Sequence, residues 1–465
     1  MLFNSLSFLI FAPCAILLYY AVPRRLKNVC LLLVSLIFYS TFGIPSLIAL
    51  CLIILFTYLS AVLLSRYRNS VLLAFCIFLL AGILCSVRFM DRAMNTMFGI
   101  VMPFSLFVPA GLSFFTLNAI GYLADLYKKK LDQPLSFFET ALLLSFFPVV
   151  TSGPILRADT FAKELRHEPV KLEYERIARA FVIVLWGFFM KLVVAERCAL
   201  VTNTVYADPS FTGLPVILAV LCYSVQIYAD FAGYSLIARG LGQAVGIAVP
   251  DNFSQPYFSR SVKEFWRRWH MSLSAWLKDY VYIPLGGSRK GRLRTDVNLM
   301  ITFLVSGFWH GTGLSFLVWG AMHGVFQIIE GHLPHAKGKS KDPSAAFLHI
   351  LLTFVLVSIA WVFFRCQSVS EAVSVLLRAV KPGSFGILFT DRLYELGLDA
   401  RNLRILIIAL ILMVSVDYMQ YHNKPVLDSF FRMNLPVRII AVWLVLFLIV
   451  LSVNLSGAEF IYMQF

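Results

Sequence analysis

The chain has 465 residues, 59% of them hydrophobic and 14% charged, where a soluble domain of this size carries about a quarter of its residues charged. Its apolar runs approach 20 residues and do not alternate in period two, which excludes a soluble globular protein and an outer-membrane barrel and predicts an all-α, polytopic membrane protein. Forty Lys and Arg against 25 Asp and Glu give a formal charge of +15; in such a chain this excess reads as cytoplasmic loops rather than as a nucleic-acid surface.

In chain order, spans are expected at 5–22, 28–42, 45–64, 71–87, 98–125, 137–156, 178–195, 214–236, 297–328, 347–365, 403–420 and 437–455. Allowing for runs broken by Gly and Pro, this is roughly 11 transmembrane helices. The first apolar stretch, Leu6 to Val22, has its basic residues after it rather than before it, which argues against a cleavable signal. Arg24, Arg25 and Lys27, then Arg66 and Arg68, then Lys128, Lys129 and Lys130 put loops one, three and five in the cytoplasm and the N-terminus outside. The eight cysteines are scattered singly, without a C-x-x-C, which argues against both a disulfide framework and a zinc site. No His/Cys/carboxylate cluster has ligand spacing, so no metal is implied.

Two regions break the hydropathy pattern. "FFPVVTSGPILR", Phe146 to Arg157, ends a span in Pro and Gly, and residues 250–296 contain no lipid-grade run. Irregular backbone at membrane depth is tolerated only where protein or a water-filled cavity surrounds it. Within the second region, Trp266, Trp269, Leu273, Trp276 and Tyr280 recur at three- and four-residue steps. They predict one helix with an aromatic stripe, ending near Pro284. An interfacial helix with Trp at the headgroups is the plainer account. The nine cations between Arg260 and Arg294, among them Arg267, Arg268 and Lys278, suit a polyphosphate as well as a lipid surface. A nucleotide-bearing donor such as coenzyme A needs such a site at a cytoplasmic mouth.

The next span, "LMITFLVSGFWHGTGLSFLVWGAMHGVFQ", places His310 and His323 in apolar surroundings. An ionisable residue at membrane depth is a functional-site hypothesis by default. A neutral imidazole in a dry environment is a competent general base for a hydroxyl. On one straight helix the two histidines stand roughly 20 Å apart and cannot share one reacting atom; a break at Gly311 and Gly313 is the alternative, and separate roles are the simpler expectation. No G-x-S-x-G elbow accompanies them, and an acyl-serine intermediate is not indicated. Asp230, in "QIYADFAGYSLIARGLG", calls for a partner, with histidine or arginine the obvious candidates. It either orients a catalytic group or braces a packing interface.

"FWRRWHMSLSAWLKDYVYIPLGG", "GFWHGTGLSFLVWGAMHG" and "YADFAGYS" together resemble the membrane-bound O-acyltransferase superfamily. Within it the chain is most similar to the bacterial branch of the alginate O-acetylation membrane protein, with the teichoic-acid D-alanyl transfer protein second. "PAGLSFFTLNAIGYLADLY", "FFPVVTSGPILR" and "NFSQPYFSRSVKEFWRRWH" follow in the same order, so the resemblance spans nearly the whole chain. It implies a single membrane-embedded domain over 1–465, with N-terminal helices in 1–236, a catalytic core in 237–330 and C-terminal helices with an aromatic tail in 331–465. It also implies re-entrant or interfacial helices and a central tunnel.

The family's catalytic histidine falls on His310 and its second histidine on His270, while His323 matches one common in the alginate-type branch. His310, His270, His323 and Asp230 are therefore the expected catalytic set, and Arg267, Arg268, Lys278, Trp266 and Trp269 the expected donor-binding set. The chain departs from the alginate pattern at Leu236, where that branch has an acidic residue after "GYS". Phe460, Tyr462 and Phe465 match a family-like aromatic tail.

The function implied is transfer of an acyl group, acetyl first, from a cytoplasmic thioester to an extracytoplasmic polysaccharide hydroxyl or a relay protein. The alternatives are D-alanyl transfer to teichoic acid and, from another class, a transporter or flippase. No permanently bound cofactor is expected; acetyl-coenzyme A or an acyl-carrier-protein thioester is the donor. The expected partners are membrane lipid, the glycan, an exported acyltransferase and an acyl-carrier protein, with no nucleic acid. The expected location is the bacterial cytoplasmic (inner) membrane, crossed many times.

Overall fold

The computed structural model describes residues 1–98, 108–333, 342–382, 387 and 390–452, with the backbone alone described over 87–98. The described elements are all helical, and the residues group into two compact units, one of 1–184 with 237–250 and the other of 185–236 with the described residues from 251 onward.

In the first unit, α1 (Leu6–Ala21), α2 (Lys27–Ser40), α3 (Ile44–Tyr67), α4 (Ser70–Phe98), α5 (Leu112–Tyr127), α6 (Phe137–Ser145) and α7 (Ala158–Arg166) precede α8 (Tyr174–Phe188). Local signals set several ends. Ser5 caps α1 by accepting from the Phe8 N–H, Pro45 opens α3 after Gly43 at φ +101°, and Ser136 with Glu139 forms a reciprocal capping box on α6. The irregular stretch 146–157 is buried, and side chains satisfy its backbone. Phe147 N–H donates to Ser35 Oγ at 3.1 Å and Leu156 N–H to Asn118 Oδ1 at 3.1 Å. A backbone without a ladder can stay at this depth only with such partners.

The second unit opens with one wide π-type turn over Phe189–Ala195, followed by α9 (Glu196–Ala207) and α10 (Leu214–Val245), whose residues up to 236 belong here. Then come α11 (Val262–Arg268), α12 (Met271–Leu277), α13 (Arg292–His310), α14 (Leu314–His332), α15 (Pro343–Arg365), α16 (Val369–Val380), α17 (Ala400–Tyr421), α18 (Val426–Arg432) and α19 (Leu435–Val450). The large fully buried side chains Trp269, Trp319 and Trp361 all belong to this unit.

Among the described residues, five helices are long and apolar enough to cross a membrane: α3, α8 continued through the π turn to Ala207, α10, α15 and α17. Leu6–Ala21, Ser70–Ser86 and Leu435–Val450 are shorter apolar helices. Leu59, Phe78, Leu352, Ile411 and Trp443 stand exposed on such helices, as expected where the outer solvent is lipid.

Three sequence expectations change. The run 297–328 is not one span: Gly311 is extended, and α13 and α14 fold back on each other as a hairpin. The stripe of Trp266 and its neighbours is not one helix: Trp266 lies on α11, Leu273 and Trp276 on α12 and Tyr280 on a π-type turn after it, and His270 between the two helices takes a left-handed conformation (φ +41°, ψ +55°). Residues 88–97, left between the expected spans 71–87 and 98–125, continue the backbone of α4. The aromatic tail with Phe460, Tyr462 and Phe465 lies outside the described residues.

Candidate active site

The α13–α14 hairpin carries two of the three histidines. It closes tightly because each helix presents glycine to the other. A Cβ on Gly307 would lie 2.3 Å from the Phe316 carbonyl oxygen, and one on Gly320 would lie 2.4 Å from that of Phe303. Gly307 and Gly311, like Gly320 and Gly324, form a G-x-x-x-G step, the small-residue pattern that lets helices approach in lipid. His310 and His323 each immediately precede the second glycine of a step.

Folding back brings the two histidines onto one indole. The His310 ring lies 5.0 Å from Trp319, edge-on, and His323 lies 5.1 Å from it. The two imidazoles are therefore at most 10.1 Å apart, against the roughly 20 Å of a straight helix. His310 also packs on Trp309 at 4.7 Å and on Phe364 at 5.1 Å. His323 accepts at Nδ1 from the Trp266 indole N–H at 3.2 Å. In a neutral imidazole that contact leaves the proton on Nε2, making His323 a donor toward the interior rather than a base.

His270 joins them through Trp309. Its ring meets Phe231 edge-on at 4.6 Å and lies 6.3 Å from Trp309, so it is at most 11.0 Å from His310. Burial pushes its pKa down to about 3, so the ring is neutral at physiological pH. His270, Trp309, His310, Trp319 and His323 thus alternate imidazole and indole through one aromatic cluster in which the three imidazoles are buried. A neutral imidazole can take a hydroxyl proton or donate to a carbonyl.

The preceding helix, α11, is pinned at both ends of its inner face. Glu330, on the last turn of α14, accepts from the Val262 and Lys263 N–H groups at 2.6 and 3.0 Å, and Trp266 reaches His323 one turn later. Of the expected donor-binding residues, Trp266 is committed to His323 and Trp269 is buried among Phe253, Phe265 and Trp361. Arg268 is engaged within the protein. It pairs with Glu264 at 2.9 Å, donates to the Ser254 carbonyl at 3.1 Å and lies over the Tyr421 ring at 5.1 Å. Arg267 and Lys278 are exposed, with no ion pair among the described residues. They are the two of the three cations open to a ligand.

Asp230 is paired with a lysine, a partner the sequence reading did not name. Lys191 Nζ stands 2.5 Å from Asp230 Oδ1, with both side chains buried. Lys191 sits in the π turn, whose extra residue per turn re-aims its side chain from the α8 register. The sequence reading missed it, although a lysine inside the apolar run 178–195 is itself the signal that a membrane carboxylate is nearby. A second polar tie, Tyr228 Oη to Asp417 Oδ2 at 2.9 Å, joins α10 to α17. Among the described residues no group of three or more His, Cys, Asp or Glu converges as a metal site.

A polytopic helical fold with imidazoles buried among aromatic rings defines an integral membrane protein. The sequence model of the membrane-bound O-acyltransferase family matches residues 31–370. A Pseudomonas fluorescens protein named as an alginate O-acetylase, AlgI, is 32% identical over 430 residues, covering 91% of this chain and 84% of the relative. The peptidoglycan O-acetyltransferase of Helicobacter pylori is 33% identical over 423 residues, covering 81% and 79%. The teichoic acid D-alanyltransferase of Streptococcus thermophilus is 30% identical over 280 residues, covering 55% and 67%. The chain belongs to the membrane-bound O-acyltransferase family, and it is an O-acyltransferase.

Proposed function

We propose that this enzyme takes an acetyl group from a cytoplasmic thioester, acetyl-coenzyme A or an acylated carrier protein, and delivers it to an extracytoplasmic polysaccharide hydroxyl or to a relay protein. The setting is the bacterial cytoplasmic membrane, and the acceptor is served by a separate exported acyltransferase. The observation that carries this reading is His310, buried against Trp309 and Trp319 on the α13–α14 hairpin, in the same unit as the exposed cations Arg267 and Lys278.

In this reading the imidazole of His310 takes the proton of the acceptor hydroxyl as its oxygen attacks the thioester carbonyl. The C–S bond then breaks, and the imidazolium gives that proton to the departing sulfur, so the donor leaves as its thiol and the neutral imidazole is restored. His323, with its proton on Nε2, donates to the carbonyl oxygen as negative charge develops there. His270, beside Trp309, positions the reacting groups. Asp230 acts at a distance, by fixing α10 through Lys191. Arg267 and Lys278 meet donor phosphates, and no metal or permanent cofactor takes part.

One feature favours a second acyl group. Relatives named as teichoic acid D-alanyltransferases align over about half the chain, at 30% and 27% identity. D-alanyl transfer from a carrier protein is therefore the alternative substrate pair for the same chemistry.

The test uses proteoliposomes with labelled acetyl-coenzyme A supplied on one face and an oligosaccharide acceptor trapped on the other. Label on the trapped glycan supports vectorial acetyl transfer. Label only from D-alanyl carrier protein selects the alternative, and intact acetyl-coenzyme A carried across selects a transporter.

A further inference from the structure

His270 occupies a conformation that a non-glycine residue adopts only when its surroundings impose it. Left-handed backbone is disfavoured for an L-residue, and outliers of this kind persist where neighbouring contacts over-determine them. The contacts responsible converge on Asn252. Its carbonyl oxygen accepts from the Met271 N–H at 2.9 Å, and its side-chain Oδ1 accepts from the Ser272 N–H at 3.2 Å. Two residues on, Ser254 N–H donates to the Arg268 carbonyl at 2.9 Å. The segment 252–254 is thus bonded on both sides of His270. Asn252 is itself buried, and its Nδ2 donates to Ser235 Oγ at 3.3 Å, which fixes which way the carboxamide faces.

Two consequences follow for His270. It is the first residue before α12, the position where a side chain ordinarily turns back to cap the free N–H groups of the first turn. Asn252 takes those groups from outside the helix, so the imidazole is released from capping and points inward. The inward ring then meets Phe231 at 4.6 Å. Phe231 and Ser235 lie four residues apart on α10, and so on one face of it. A single helical face therefore sets both the ring of His270 and the carboxamide that holds its backbone.

We infer that Asn252, held by Ser235, is the positioning residue for His270: it stabilises the left-handed turn that aims the imidazole at the Trp309–His310 compartment. The inference rests on the proposed acyl-transfer role of His270.

The experiment is a double-mutant cycle on the full-length, reconstituted protein with labelled acetyl-coenzyme A. It compares wild type, Asn252→Ala, His270→Ala and the double variant, each taken as the monodisperse fraction. Asn252→Ala is expected to lower kcat at least tenfold with the donor KM within twofold, and the double variant to be no slower than His270→Ala. Ser235→Ala, which leaves the Asn252 acceptor in place, is expected to lower kcat about threefold or more, with Ser235→Thr restoring it. These two variants keep the test open if Asn252→Ala does not fold.

Losses that multiply in the double variant, or wild-type kcat in both Asn252→Ala and Ser235→Ala, overturn the inference while leaving His270 in the mechanism. Full turnover in His270→Ala overturns both the inference and the role it rests on.

Discussion

His310 and His323 lie 5.0 and 5.1 Å from the same indole, that of Trp319, although they stand thirteen positions apart in the sequence. The hairpin that produces this meeting depends on backbone approach at two glycines, so it can be tested without touching either histidine. Gly320→Ala would drive a methyl group to 2.4 Å from the Phe303 carbonyl, which neither helix can accommodate without parting. Overpacking of this kind costs about 1–3 kcal/mol. We expect a lower thermal midpoint in detergent and a fall in kcat, since Trp319 would lose its shared contact. An unchanged kcat would mean that the spacing of the two histidines is not what the reaction uses.

The buried pair Lys191–Asp230 makes a sharper stability prediction. Breaking a buried ion pair from one side leaves an uncompensated charge, at a cost of about 3–5 kcal/mol. Lys191→Met or Asp230→Leu alone should therefore reduce the yield of monodisperse protein severely. The double variant Lys191→Met/Asp230→Leu should recover much of it, because both charges are then gone. Equal losses in single and double variants would show that each residue is needed separately.

Arg267 and Lys278 should separate from Arg268 in kinetics. An exposed cation contacting a phosphate contributes about 1 kcal/mol, roughly fivefold in KM. Arg267→Ala and Lys278→Ala are each expected to raise the KM for acetyl-coenzyme A by that amount, and less so at high salt. Arg268→Ala, which breaks the Glu264 pair and the Tyr421 stack, should lower thermal stability and leave KM near wild type. A raised KM for Arg268→Ala alone would reverse the assignment.

His270 also predicts a pH dependence of stability. Its folded pKa, near 3, lies below the unfolded value of about 6.5. As pH falls below 6.5 the unfolded chain takes up a proton that the folded one does not, so the native state loses up to about 1.4 kcal/mol per pH unit until the folded pKa is reached. Above pH 6.5 this contribution is constant. The thermal midpoint of wild type should fall more steeply between pH 6.5 and 5 than that of His270→Gln, and parallel curves would show that His270 is not buried neutral in the folded protein.

The sequence made the class and the histidines legible because both are signals of composition and local pattern. Apolar runs reveal spans, and an imidazole inside one stands out. Its failures share a cause, which is backbone that leaves the regular helix. A straight helix through Gly311 kept His310 and His323 apart, and a continuous helix through His270 hid the turn on which that residue sits. The partner of Asp230 lies 39 residues upstream on a π turn, and Asn252 meets α12 from 20 residues before it. Neither pairing has a sequence period, so only the folded chain reveals it. The G-x-x-x-G steps at Gly307 and Gly320 were readable, and they foretell a close helix pair better than hydropathy does.

The central claim is that a buried histidine on the α13–α14 hairpin runs thioester chemistry. The most direct measurement incubates the reconstituted protein with acetyl-labelled coenzyme A and a hydroxyl acceptor, comparing wild type with His310→Ala at equal amounts of folded protein. The account predicts transfer by wild type and a loss of about 10²–10⁴-fold in the variant, the range expected for removing a general base. Equal turnover by the two proteins would contradict it.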